Sequence, residues 1–155
     1  MSETISGRLA ELGHAVPVPP LPAASYVPWV RSGTFIYVSG QVPRLDGRDV
    51  YVGKLGDSID LETGQKAAQL CALNILAHLV AAVDDDFSRV LRCVRLGGFV
   101  NAVPDFASHP QVINGASDLM VQVLGEKGKH TRAAIGVSSL PRNFAVEVDA
   151  VFEIN

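Results

Sequence analysis

The chain has 155 residues, a length that predicts one compact domain, and 48% of them are hydrophobic, enough to build a real core. Its net charge is −3 and no basic patch is evident, which argues against broad nucleic-acid binding. Charged residues make up only 19%, low enough to point to surface buried by self-association.

Cys71 and Cys93 lie far apart with neither metal-ligand spacing nor a disulfide framework, as expected of reduced thiols in a cytoplasmic protein. The N-terminus is polar and lacks the apolar stretch of a signal peptide. The apolar run at 70–83 is interrupted by Asn74 and His78 and is too short to span a membrane.

Residues 2–13 read as a short helix, with Ser2 or Thr4 as cap, Ile5, Leu9 and Leu12 as its apolar stripe and Gly13 as its stop. The four prolines within 16–25 predict an extended arm that belongs to the same domain as the rest. Two runs rich in β-branched and aromatic residues, 26–30 and 35–40, flank the turn 31–34 and predict a first hairpin. Within the second, Ile36 and Val38 face one way and Phe35, Tyr37 and Ser39 the other. The Gly- and Asp-rich stretch 43–58 reads as a loop with a short strand near 50–52.

A helix capped by Asp60 or Thr63 runs to about Val83, where three aspartates end it. A strand follows over 90–101, and Gly97-Gly98 in its middle predicts either a bulge or the close approach of another backbone or a ligand. A second long helix covers 110–124, with Pro110 suited to its first turn. Residues 132–137 and 146–154 complete the chain and read as a terminal hairpin about a Leu-Pro turn. Val146, Val148, Ala150, Phe152 and Ile154 alternate with Glu147, Asp149 and Glu153, the clearest period-two pattern in the sequence. The order β-β-α-β-α-β-β predicts one mixed sheet with both helices on a single face. The other face is too apolar to stay bare, so a second copy of the chain is the expected cover.

Arg132 is the sharpest candidate residue. A guanidinium at the edge of an apolar strand either clamps a substrate carboxylate or serves a structural ion pair, with Glu147 or with a neighbouring subunit. Glu147 either orients and deprotonates a water or belongs to a solvated strand face. His130 stands two residues before Arg132 and is a further candidate, whereas His78 falls in the helical stripe and reads as a packing residue. His14, His78, His109 and His130 have no mutual metal-ligand spacing. There is no G-x-S-x-G elbow, P-loop or dinucleotide fingerprint.

Taken together, these segments resemble the Rid family of reactive-intermediate deaminases, also called YjgF-type or L-PSP-type proteins. The likeness runs from Tyr26 to Ile154. Tyr26-Val27 resembles the family's active-site tyrosine segment. FIYVSGQVP at 35–43 resembles its SGQ-x-P signature, with Ser39 as the binding-site serine. FVNAVPDF at 99–106 resembles its strand end and DF turn, and Asn114 its helical asparagine. Arg132 aligns with the carboxylate-binding arginine and Glu147 with the glutamate near the catalytic water. Four features depart from the pattern. Ala134 stands where the deaminases carry a cysteine, and His130-Thr131 where they carry Pro-Ala. Ser117 and Asp118 replace an aromatic, and the N-terminal helix and arm are extra.

The resemblance implies a chorismate-mutase-like α+β fold and a homotrimer with its sites in clefts between subunits. It implies hydrolysis of enamines and imines of 2-imino acids to 2-oxo acids and ammonia, without metal or cofactor. Arg132 would hold the substrate carboxylate, Glu147 would position the water, and Tyr26, Ser39, Asn114 and His130 would line the cleft. Two other functions stand beside it. One is a non-catalytic trimer that binds small carboxylates or partner proteins. The other is an endoribonuclease, against which the acidic balance and the lack of a His/His or His/Lys pair both count.

Overall fold

A computed structural model describes residues 1–155 apart from Pro20 and Ala23. The first helix, α1 (Ile5–Glu11), is shorter at both ends than the sequence predicts, because Thr4 takes the cap position and accepts a bond from Gly7 N at 3.0 Å. Ile5 and Leu9 are fully buried and fasten α1 to the core. Around the arm expected over 16–25, the described residues form neither helix nor strand, and Pro20 and Ala23 lie outside the described residues.

The first hairpin pairs β1 (Trp29–Ser32) with β2 (Phe35–Gln41) and turns at Gly33, whose φ is +63°. A two-residue-strand hairpin, β3 (Arg44–Leu45) and β4 (Arg48–Asp49), follows in place of the strand expected near 50–52. Its turn residues Asp46 and Gly47 both take positive φ, the geometry that an Asp-Gly pair favours between antiparallel strands. α2 (Leu61–Ala82) starts at Asp60, whose carboxylate accepts from Thr63 N at 2.8 Å, and ends where Asp84 and Asp85 turn left-handed. The long strand β5 (Val90–Asn101) precedes α3 (His109–Leu124), which has Pro110 in its first turn. β6 (Thr131–Val137) and β7 (Val146–Ile154) end the chain.

The main sheet has the order β1-β2-β7-β5-β6 and is antiparallel except for the parallel pair β5 and β6. The terminal hairpin predicted from the sequence is therefore absent: β5 lies between β6 and β7. The physical reason is the crossover. β5, α3 and β6 form a strand–helix–strand unit, which returns the chain parallel to β5 and leaves β6 on the sheet edge.

Both long helices pack on one face of this mixed α+β sheet, against Ile36, Val38, Leu96, Val146, Val148, Phe152 and Ile154. The alternation along β7 is as the sequence predicts, with the odd-numbered side chains 147–153 on the other face. Gly97-Gly98 holds no bulge; the sheet's bulges fall at 90–92 and 93–95 on β5 and between Val38 and Gln41 on β2. Close approach is what Gly98 provides, since a Cβ there would lie 2.6 Å from Ile113 Cγ1 on α3. The face away from the helices exposes Val30, Phe35, Tyr37 and Ile135.

Candidate functional site

Arg132 sits on the edge strand β6 in register with Leu96, so its side chain lies on the helix-covered face. Its Nη1 donates to Asn114 Oδ1 at 2.8 Å and to Ser117 Oγ at 3.1 Å, both from α3. Ser117 Oγ in turn lies 2.9 Å from His130 Nε2, and His130 Nδ1 lies 2.6 Å from Gly128 O. A carbonyl only accepts, so Nδ1 carries the hydrogen, and Nε2 of the neutral ring accepts from the Ser117 hydroxyl. Ser117 is then left with lone pairs for Arg132. Both side-chain partners of this guanidinium among the described residues are neutral oxygens. Among the described residues no carboxylate comes within ion-pair distance of Arg132, so the pair with Glu147 does not form within the chain. Buried or half-buried charge without a counter-ion is costly, and the arrangement points at an anion from outside.

Glu147 occupies β7 opposite Phe99, on the sheet face away from the helices. The β2 bulge at Ser39-Gly40 brings bare backbone beneath it: a Cβ on Gly40 would lie 2.2 Å from Glu147 Oε1. Desolvation by burial pushes the Glu147 carboxyl above the usual carboxylate range, and the neighbouring Asp149 adds to the rise. The bulge is held from both sides. Ser39 Oγ donates to Val27 O at 2.8 Å, which ties the segment leading into β1 to β2. The buried Gln41 donates from Nε2 to Ser39 O at 2.9 Å, and its Oε1 meets His78 Nε2 at 3.2 Å. His78 is thus the satisfied packing residue that its place in the helical stripe predicts.

Tyr26 and Glu147 line one open cavity of about 310 Å³, shared with Gly40, Arg44, Pro141 and Arg142. The six candidate residues therefore fall into two groups. Arg132, Asn114 and His130 gather at the β6–α3 edge, and Tyr26, Ser39 and Glu147 gather around the β2 bulge. The structure does not bring the groups together in one chain, because they lie on opposite faces of the sheet with β5 between.

Several residues near the cavity escaped the sequence reading. Asn101, fully buried at the end of β5, donates to Asn143 Oδ1 at 2.9 Å and to Phe144 O at 3.1 Å, and it accepts from Lys54 Nζ at 2.9 Å. It fixes the turn that carries Arg142, and no local sequence signal marks it. Arg44, Asp49 and Arg142 form a cluster in which both arginines lean on one carboxylate; the Asp-Gly turn at 46–47 is the signal that could have located its hairpin. Neither cysteine replaces the one missing at Ala134. Burial pushes the Cys93 thiol up to about 12 and the Cys71 thiol well above its ordinary value, so both stay protonated. Among the described residues, no three His, Cys, Asp or Glu side chains gather where they could hold a metal ion, and no helix is long and apolar enough to cross a membrane.

Residues 6–153 match the profile of the family described as "YjgF/chorismate mutase-like, putative endoribonuclease". The chain belongs to the YjgF, or Rid, family. Its α+β fold is the family's chorismate-mutase-like fold. Protein TCP17 of Trypanosoma cruzi is 45% identical over 160 residues, which cover 100% of this chain and 99% of that protein. The crystal structure of Atu1372 from Agrobacterium tumefaciens superposes with a TM-score of 0.91 at 49% identity, covering 97% of this chain and 92% of the other. A Shewanella oneidensis structure described as a putative endoribonuclease gives a TM-score of 0.93 at 32% identity, with 97% and 99% covered. The YjgF match runs from Ser6, the second residue of α1, to Glu153.

Proposed function

We propose that this YjgF-family chain is a hydrolytic deaminase of 2-imino acids, with each site completed by a second copy in a homotrimer. The observation that carries the reading is Arg132, a guanidinium held by neutral oxygens with no carboxylate partner among the described residues. Such a group binds a carboxylate through charge-assisted bonds worth about 1.5–3 kcal/mol each. Glu147 supplies the base. Its desolvated carboxylate is more basic than usual, and an elevated pKa brings a general base closer to neutral pH. Two strand spacings of about 4.8 Å and the thickness of the sheet separate Glu147 from Arg132 within one chain, too far for one small imino acid. The edge position of β6 and the bare apolar face support a neighbouring copy as the second wall.

In the reaction, Arg132 of one copy holds the carboxylate, and Asn114, Ser117 and His130 orient the arginine. Glu147 of the next copy takes a proton from water as the oxygen adds to the imine carbon. The carbinolamine then collapses with transfer of a proton to nitrogen, so imine plus water becomes 2-oxo acid plus ammonia. Tyr26 lines the same cavity as Glu147, while the Ser39 hydroxyl is committed to Val27 O and acts by holding the bulge.

The test follows freshly generated 2-aminoacrylate through ammonia and pyruvate release. Wild type should accelerate its hydrolysis, and Arg132→Ala and Glu147→Gln should each abolish the acceleration. Binding of pyruvate without turnover would instead favour a carboxylate-binding trimer, a reading that Ala134 in the cysteine position supports.

A further inference from the structure

The cavity beside Glu147 is larger than the smallest imino acids need. Its volume of about 310 Å³ corresponds to roughly ten waters at ~30 Å³ each, whereas 2-aminoacrylate has six heavy atoms. The same cavity is lined by Arg44 and Arg142 and by the apolar Pro28, Val42, Pro141 and Phe144.

Arg142 is held there at a cost. Both Arg142 and Asn143 have positive φ, +53° and +60°, a left-handed conformation that disfavours any residue with a side chain. The turn keeps it because Asn143 is fastened twice, through Oδ1 to Asn101 Nδ2 at 2.9 Å and through its carbonyl to Gly53 N at 2.8 Å. Asn143 anchors the turn, and Arg142 is the residue the turn presents to the cavity.

The local charge is unbalanced. Arg142 Nε and Nη2 both reach Asp49 Oδ2, at 2.6 and 2.5 Å, and Arg44 Nε lies 2.9 Å from Asp49 Oδ1. Two guanidinium groups share one carboxylate, which leaves one net positive charge. The Nη1 groups of both arginines have no protein partner among the described residues, and Arg44 Nε is buried without a well-directed hydrogen bond. Donors and charge are thus unspent on two residues that line the same partly apolar cavity as Glu147.

We propose that this cluster selects 2-imino acids whose side chain ends in a second carboxylate, with Arg142 as the specificity-determining residue. The proposal rests on the deaminase reading for the placement of the imine carbon at Glu147. The α-carboxylate goes to Arg132 of the neighbouring copy, the side-chain methylenes lie against the apolar walls, and the distal carboxylate pairs with the free edge of Arg142. The reaction remains imine plus water to 2-oxo acid plus ammonia.

The experiment uses the full chain. D-Aspartate oxidase supplies 2-iminoglutarate from D-glutamate, D-amino acid oxidase supplies 2-iminobutyrate, and kcat/KM is measured for both. Wild type should prefer the dicarboxylate about tenfold or more, and Arg142→Gln should erase most of that ratio, as the loss of one charge-assisted bond implies. Arg142→Lys should restore part of it. A ratio near one in wild type, or a ratio unchanged in Arg142→Gln, overturns the selectivity while the deaminase reading stands. If wild type hydrolyses neither imine, the deaminase reading falls and calorimetry with 2-oxoglutarate and 2-oxobutyrate decides the selectivity by itself. Tighter binding of 2-oxoglutarate that is lost in Arg142→Gln supports it, and equal or absent binding overturns it. A purely structural role for Arg142 would lower Tm and leave both ratios in place.

Discussion

A methyl group on Gly40 separates the placement of Glu147 from the stability of the fold. In Gly40→Ala the new Cβ would lie 2.2 Å from Glu147 Oε1, 3.0 Å from Cδ and 3.2 Å from Cγ. Ordinary contact begins at 3.4 Å, so the carboxylate must withdraw by roughly 1 Å. It can do so by rotating, because the obstructing atoms are the far end of a flexible side chain. An off-rotamer torsion costs about 0.5–1.5 kcal/mol, and replacing a strand glycine returns about 0.5–1 kcal/mol of chain entropy. Gly40 has no positive φ that alanine would oppose. The two effects nearly cancel, and Tm should stay within about 3 °C of wild type. Catalysis should not survive so well, since a 1 Å misplacement of a reacting group costs on the order of a hundredfold in rate. Differential scanning fluorimetry and ammonia release from 2-iminobutyrate measure the two sides. NMR titration of the Glu147 carboxyl adds a third readout, because a carboxylate moved into water should titrate closer to its ordinary value. A drop in Tm beyond about 10 °C would show that the backbone takes the strain. A wild-type rate would refute the claim that the Glu147 position limits the chemistry.

Gly98→Ala should behave in the opposite way. Its Cβ meets three branch atoms of the fully buried Ile113 at 2.6–2.8 Å, and a β-branched core side chain has little room to rotate. Overpacking of about 1–3 kcal/mol should lower Tm by roughly 3–10 °C, and the resulting shift of α3 should also disturb Asn114. Asn114→Ala should leave Tm within a few degrees, because Ser117 still holds Arg132, yet raise KM for 2-imino acids about tenfold as the guanidinium loses orientation.

The pH dependence of stability has two opposed parts. Burial lowers the His78 pKa, so the unfolded chain binds more protons just below the ordinary value of 6.5; stability is lost as pH falls through that value, and His78→Gln should flatten the loss in urea titrations. Burial raises the Glu147 pKa, so the folded chain binds more protons just above the ordinary carboxylate range. Stability therefore falls as pH rises through that window, and Glu147→Gln should lessen the fall, the remainder coming from Asp149, whose carboxyl burial also raises.

What could be read in the sequence was local. Asp60 and the apolar stripe specify α2, and the strict alternation of β7 specifies which face Val146 and Phe152 turn to the core, because side-chain periods of 3.6 and 2 follow from backbone geometry alone. The likeness of 35–43 and of the segments around Arg132 and Glu147 to the YjgF family was legible too, because such motifs are contiguous in the chain. Only the tertiary structure decided which strands are neighbours. Backbone ladders carry no residue identity, so nothing within β6 or β7 says that β5 will insert between them; the helical crossover through α3 settles it. That insertion sets the strands of Arg132 and Glu147 two spacings apart. The buried bonds of Asn101, a residue 42 positions from Asn143, likewise bring Arg142 to a cavity no local pattern announces. Faces are set by periodicity along the chain, whereas sites are set by packing across it.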